Sequence, residues 1–243
     1  ISKWAQAVLA PENITEIVRK AFKIAETEKP GLCVVELPED VAKEEVDDTP
    51  MPPTKVRRPG ADHKAIAMAA DLIANAKNPI ILAGNGAIRK RAATQLTRLA
   101  HNLGVGVVNT FMGKGAVTMD DHHCLYTIGL GMGDYNNLAF DTADLVISCG
   151  YDLVEYAPKA WNRTNKNSKK IIHMDFWPAE VDRDYIPTIE VVGDLADGLW
   201  QLNELLEDRH QGSLPLFDIQ IRSNLRATLT EDFAAEKHDT GFP

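Results

Sequence analysis

Five apolar runs without polar-apolar alternation constrain this chain more than any other feature: Ile80–Gly84 (IILAG), Val105–Thr110 (VGVVNT), Leu145–Gly150 (LVISCG), Lys170–Asp175 (KIIHMD) and Ile189–Asp194 (IEVVGD). A strand with one solvated face alternates, whereas a run that does not alternate is covered on both faces. The segments between the runs supply the cover. Ile66, Ala69, Ile73 and Ala76 fall at helical spacing, as do Ala92, Leu96, Leu99 and Leu103, and Leu195, Leu199, Leu202 and Leu206. Strands alternating with helices in this way predict an α/β fold built on a doubly wound, mostly parallel sheet over residues 62–208. Gly104 is placed to end the second helix, and a short helix is expected near 134–142. The stretch Gly113 to Gly133 reads as irregular and Gly-rich.

The flanks are organised differently. Pro11 and Asn13 precede a helical pattern at Ile14, Ile17, Ala21 and Ile24, and Lys29-Pro30-Gly31 stops it. Leu32–Leu37 then reads as a buried strand. One helix and one strand cannot close a core, so residues 1–45 read as a helix-strand stub of a preceding α/β domain. Residues 46–61, rich in proline, read as an extended, stiff linker. Residues 209–243 hold one expected helix, Ile219 to Ala235, and read as a helical connector to a further domain. The chain opens on Ile1 and closes on Thr-Gly-Phe-Pro, so both ends read as cut.

The formal net charge is −9 and the pI about 5.3, which makes nucleic acid and anionic membranes poor partners. The three cysteines, Cys33, Cys124 and Cys149, form no Cys-x-x-Cys pair, so neither a disulfide framework nor a zinc site is indicated. No signal peptide and no long apolar run is seen, and the expectation is a cytoplasmic, soluble protein.

In a doubly wound sheet, ligands gather at the carboxyl ends of the strands. Glycines mark several of those ends here: Gly84-Asn85-Gly86, Thr110-Phe111-Met112-Gly113, Gly150-Tyr151-Asp152, Asp175-Phe176 and Gly193-Asp194. Gly84–Arg89 (GNGAIR) is an incomplete dinucleotide fingerprint, with Arg89 where the third glycine would stand. The motif alone divides evenly between a nucleotide site and a tight strand-to-helix turn. Arg89, Lys90 and Arg91 oppose the dipole of the helix they begin, which favours a bound anion there. Met119–His123 (MDDHH) gathers acids and histidines, but no second cluster completes a metal shell, and it reads as a polar loop. His173, inside a buried run, reads as a satisfied core histidine. No catalytic set is visible.

Taken in order, Gly31–Ala42 (GLCVVELPEDVA), the Pro-rich linker, NPIILAGNGA at Asn78–Ala87, Ala143–Asn162 (ADLVISCGYDLVEYAPKAWN) and the runs around His173 and Gly193 resemble the thiamine-diphosphate-dependent acetolactate synthase family over nearly the whole chain. The resemblance implies the end of a pyrimidine-binding domain, a complete central domain with a six-stranded sheet, and a connector to a diphosphate-binding domain. It implies thiamine diphosphate and Mg2+ as cofactors, bound outside this chain. The family's Gly-Asp-Gly motif is absent; Gly193-Asp194-Leu195 comes near it. It further implies condensation of two pyruvates to 2-acetolactate with loss of CO2, a small 2-oxo acid substrate, and a homodimer or homotetramer. The isolated chain is expected to be inactive, with no catalytic or metal-binding residue of its own.

In the flavin-binding branch of that family the central domain holds FAD. The equivalent positions here are Gly84, Asn85, Gly86, Thr110, Phe111, Met112, Gly150, Asp175, Phe176, Gly193 and Asp194. That branch carries an arginine soon after the third run. Gly150–Tyr156 (GYDLVEY) instead resembles the catabolic, flavin-independent members, and Tyr151 offers no cationic fork. This departure argues against FAD. Two alternatives stand beside this reading: another thiamine-dependent 2-oxo acid decarboxylase or oxidase, and a stand-alone nucleotide-binding or scaffold domain.

Overall fold

The computed structural model describes residues 2–54, 58–129, 136–164, 169–210, 217, 223, 224, 226–231 and 234. They form two compact units, Ile1–Arg58 and Pro59–Pro243.

The first unit holds strand β1 (Trp4–Ala7), helix α1 (Ile14–Glu26), strand β2 (Cys33–Glu36) and the short helix α2 (Glu39–Ala42). β1 and β2 pair in parallel, with Trp4 opposite Cys33 and Ala7 opposite Glu36. The expectation of a single strand here is corrected. Trp4–Ala7 carries no apolar run, and its place in the sheet comes from backbone pairing with β2. Val8, Ile17 and Val41 form the buried cluster of this unit. The Pro-rich segment lies along α1. Arg19 donates to the Pro52 carbonyl at 3.2 Å and to Thr54 at 3.1 Å, and Thr15 donates to Asp48.

The second unit contains α3 (His63–Ala74), β3 (Pro79–Ala83), α4 (Lys90–Leu103), β4 (Val107–Thr110), β5 (Cys124–Ile128), α5 (Asn137–Asp141), β6 (Leu145–Cys149), α6 (Pro158–Trp161), β7 (Lys170–Asp175), β8 (Ile189–Val192) and α7 (Leu195–His210). Its sheet has six strands in the order β5-β4-β3-β6-β7-β8, and every pairing is parallel. The sixth strand is β5, inside the stretch read as irregular. The expected connector helix falls mostly outside the described residues, of which 226–231 are helical.

The sheet is buried on both faces, as unalternating runs require. Ile81 and Ala83 of β3 join one core cluster, and Ile80 and Leu82 join the other. The first cluster includes residues of α3, α4 and α7. The second is built on Phe140, Tyr151, Trp161 and Tyr185. Helix ends follow local chemistry. The Asp62 carboxylate accepts from the Ala65 amide at 3.2 Å and caps α3. Gly104 takes a left-handed φ of 70° and closes α4. Among the described residues, no helix is long and apolar enough to cross a membrane.

Candidate functional site

Counted within the second unit, the strand order reads 3-2-1-4-5-6, the order of dinucleotide-binding sheets. Its topological switch point falls between β3 and β6, where successive crossovers leave in opposite directions. Gly84, Asn85 and Gly86 follow β3 at this point, and Gly150 follows β6. Thr110, Phe111 and Met112 lie at the end of β4, Asp175 and Phe176 at the end of β7, and Gly193 and Asp194 after β8. The eleven positions expected from sequence therefore share the carboxyl edge of five adjacent strands, β4-β3-β6-β7-β8.

The glycines at the switch point bring backbone against backbone. A Cβ on Gly84 would lie 2.4 Å from the Tyr151 Cα, and one on Gly86 would lie 2.8 Å from the Gly150 Cα. Gly150 itself has a φ of 60° and faces Gly86 equally closely. The Gly86 amide donates to the Gly150 carbonyl at 2.8 Å and the Gly84 amide to the Cys149 carbonyl at 3.0 Å. These residues close the crevice rather than line an open one.

A carboxylate side chain occupies the Gly-rich turn at Asn85, ahead of the basic helix start at Arg89–Arg91 where an anion is expected. Glu155, 3% exposed, accepts the Asn85 amide with both carboxylate oxygens, at 3.0 and 3.1 Å. It also accepts the Asp152 amide at 3.0 Å and the Thr110 hydroxyl. Thr110 in turn accepts the Gly113 amide at 2.9 Å. Glu155 thus already satisfies the Asn85 amide, one of the N–H groups a pyrophosphate at this turn could use. Sequence reasoning passed over Glu155 as a ligand of the turn. Its only signal was its place in the Gly150–Tyr156 run.

Tyr151 is buried in an aromatic cluster. Its ring stands edge-on to Trp161 and Tyr185 at 6.1 and 5.6 Å, its hydroxyl donates to the Tyr156 carbonyl, and the Trp161 indole donates to it at 3.2 Å. Burial pushes the phenols of Tyr151 and Tyr185 well up, so both remain protonated. His173 lies 2.8 Å from the Tyr185 hydroxyl through Nδ1 and 2.9 Å from the Trp177 carbonyl through Nε2. A carbonyl only accepts, so Nε2 carries the proton and the ring is held on both sides.

The other positions have local duties. The Asp194 carboxylate accepts the Asp197 amide at 3.0 Å and caps α7. A Cβ on Gly193 would lie 2.8 Å from the Ala61 Cα. Asp175 accepts the Phe176 amide. Phe111 and Met112 are exposed. A separate groove of about 440 Å³ between the starts of α4 and α7 is lined by Arg91, Thr94, Gln95, Ala196, Asp197 and Trp200; Arg91 among them belongs to the basic helix start expected to attract an anion. At the opposite end of the sheet, His101 of α4 meets Asp121 through Nε2 and stands beside the His123 ring, supplying a partner that the Met119–His123 loop lacks by itself.

Residues 66–202 match the family model for the thiamine pyrophosphate enzyme central domain. The chain is 34% identical over 214 residues to the catabolic acetolactate synthase of Raoultella terrigena, covering 86% of this chain and 37% of that protein. It is 35% identical to a probable acetolactate synthase large subunit of Methanocaldococcus jannaschii, over 83% of this chain and 35% of that protein. With the acetolactate synthase of Bacillus subtilis it shares 32% identity over 80% of this chain and 34% of that protein. The chain thus spans about a third of the length of these curated relatives.

Proposed function

The chain belongs to the thiamine pyrophosphate enzyme central-domain family, and from that membership we propose that it works within a longer enzyme that condenses two pyruvates to 2-acetolactate with release of CO2. Relatives named as acetolactate synthases, each more than twice as long, support this reading. Thiamine diphosphate with Mg2+ supplies the decarboxylating and carbon-joining chemistry when bound. This chain carries no Gly-Asp-Gly motif, and we assign that cofactor to segments outside it.

The contribution of this chain is the frame. Its parallel sheet is closed at the switch point by Gly84, Gly86 and Gly150, and Glu155 satisfies the Asn85 amide of the turn. The position of Glu155 is the single observation that carries a flavin-free reading. We further place the enzyme in the cytoplasm as a homodimer or homotetramer acting on a small 2-oxo acid, with no nucleic-acid or membrane partner.

The test is an assay of the longer protein with pyruvate, thiamine diphosphate and Mg2+, with and without FAD. Acetolactate formed at the same rate in both, by protein that carries no flavin absorbance, is the expected result. Stoichiometric flavin in the purified protein would overturn the flavin-free reading. Decarboxylation of pyruvate to acetaldehyde without acetolactate would replace the carboligase reading with that of a decarboxylase. The 243-residue chain alone is expected to form no acetolactate.

A further inference from the structure

His101, Asp121 and His123 come from two places in the chain and meet at the amino-terminal end of the sheet, away from the switch-point crevice. His101 lies in the last turn of α4, and Asp121 and His123 lead into β5. The His101 Nε2 stands 2.7 Å from Asp121 Oδ2, and the His123 Nδ1 stands 3.1 Å from Asp121 Oδ1. The two imidazole centroids are 4.6 Å apart. One nitrogen or oxygen from each residue lies within 4.8 Å of the others.

We propose that these three side chains form a binding site for one borderline divalent transition-metal ion, of which Zn2+ is the type. Two imidazoles and one carboxylate suit such ions, whereas Ca2+ and Mg2+ call for shells of oxygen. Three protein ligands leave the fourth tetrahedral position to water.

The site is built before any ion arrives. His123 is held by its carbonyl, which accepts the Val107 amide of β4 at 2.7 Å. Its own amide donates to Asp121 Oδ1 at 2.8 Å, which fixes the carboxylate. Asp121 is tied at both ends, its amide to the Thr118 carbonyl and its carbonyl to the Cys124 amide, each at 3.0 Å. Arg226 takes the carbonyls of Met119 and Asp121, so the ligand set is confined to side chains. His123 is buried and, among the described residues, no hydrogen bond holds its Nε2. Its proton can therefore sit on Nε2 and leave the Nδ1 lone pair for the ion. His101, half-exposed at 50%, already turns Nε2 to Asp121 and can offer it to the ion with its proton on Nδ1. The ion would replace the two imidazole-carboxylate contacts and join the end of α4 to the start of β5.

The test is titration of the metal-stripped chain with Co2+ alone, followed by displacement with Zn2+, reading the visible ligand-field bands and the bound metal. The expected result is one ion per chain with tetrahedral-type bands and a raised Tm. His101→Ala and Asp121→Asn should weaken binding by at least about tenfold, since losing even an outer-shell partner costs that much. His122→Ala removes an exposed neighbour outside the ligand set and should leave binding unchanged. Failure of the unaltered chain to bind Co2+ or Zn2+ would overturn the site. So would binding that is equal in His101→Ala and Asp121→Asn, or that disappears in His122→Ala.

Discussion

Glu155 satisfies the Asn85 amide, the Asp152 amide and the Thr110 hydroxyl from a buried position. Glu155→Gln keeps the shape but turns one acceptor into a donor aimed at other donors, which should cost about 2 kcal/mol. Equilibrium denaturation measures it, and an unchanged midpoint would mean that the carboxylate is not the group closing the turn. A second residue-scale expectation concerns pH. Arg163 donates to Asp141 at 2.6 and 3.2 Å, and Thr164 donates to it at 2.9 Å. The Arg163 hydrogen bond holds the Asp141 carboxyl below its ordinary value, with burial opposing. A depressed acid contributes stability that is fully present above its unfolded pKa of about 3.9 and is lost as pH falls through the folded value. Asp141→Asn should therefore lower stability by about 0.5–1 kcal/mol near neutral pH, discounted because Arg163 is half-exposed. The gap from the unaltered chain should narrow as pH falls below that unfolded value and close once the folded carboxyl is protonated. A Tm difference that persists there would contradict the assignment.

Among the elements, those carried by hydrophobic pattern were legible and those carried by pairing were not. β3, β6 and β7 are apolar on both faces, so their sequence alone demands cover. β1 and β5 are edge strands that lack this mark. β5 follows the polar Met119–His123 loop, contains Tyr126 at a φ of 63°, and shifts register against β4 between Val107 and Asn109. Each irregularity blurs the pattern a strand would print. The carboxyl-edge positions were legible as a set because glycines mark them, yet glycine permits a close approach without saying what approaches. At Gly84 and Gly86 it is the chain's own backbone. Asp194 gives the same lesson: an acid after a strand reads as a ligand, and here it caps α7. Asp194→Ala should cost about 1 kcal/mol, the usual loss for a helix N-cap. Asp194→Ser should recover most of it, because a hydroxyl can accept the same amide. Denaturation of both variants checks the pair; equal losses would mean that capping is not the role of Asp194.

Over the whole molecule, the two units differ in how much apolar surface their own residues bury. The six-stranded sheet of the second unit is covered on both faces by separate core clusters. The first unit has a two-stranded sheet and a buried cluster of Val8, Ile17 and Val41. Leu9, Phe22 and Leu32 remain 82%, 62% and 60% exposed. Two strands are marginal unless a helix or further strands bury their face, and α1 buries only part of it here. Local opening free energies follow such differences. In native-state hydrogen exchange of this chain, the amides of β3, β6 and β7 should exchange last, through global unfolding. Those of β1 and β2 should exchange through a lower-energy local opening, with protection smaller by about a hundredfold or more, equivalent to about 2.8 kcal/mol. If the proposed longer enzyme lays further strands against the first unit, the protection of β1 and β2 should rise toward that of the second unit, because the exposed apolar residues would then be covered. Equal protection of the two units in this chain alone would show that β1 and β2 draw their stability from the same cooperative core as the large sheet.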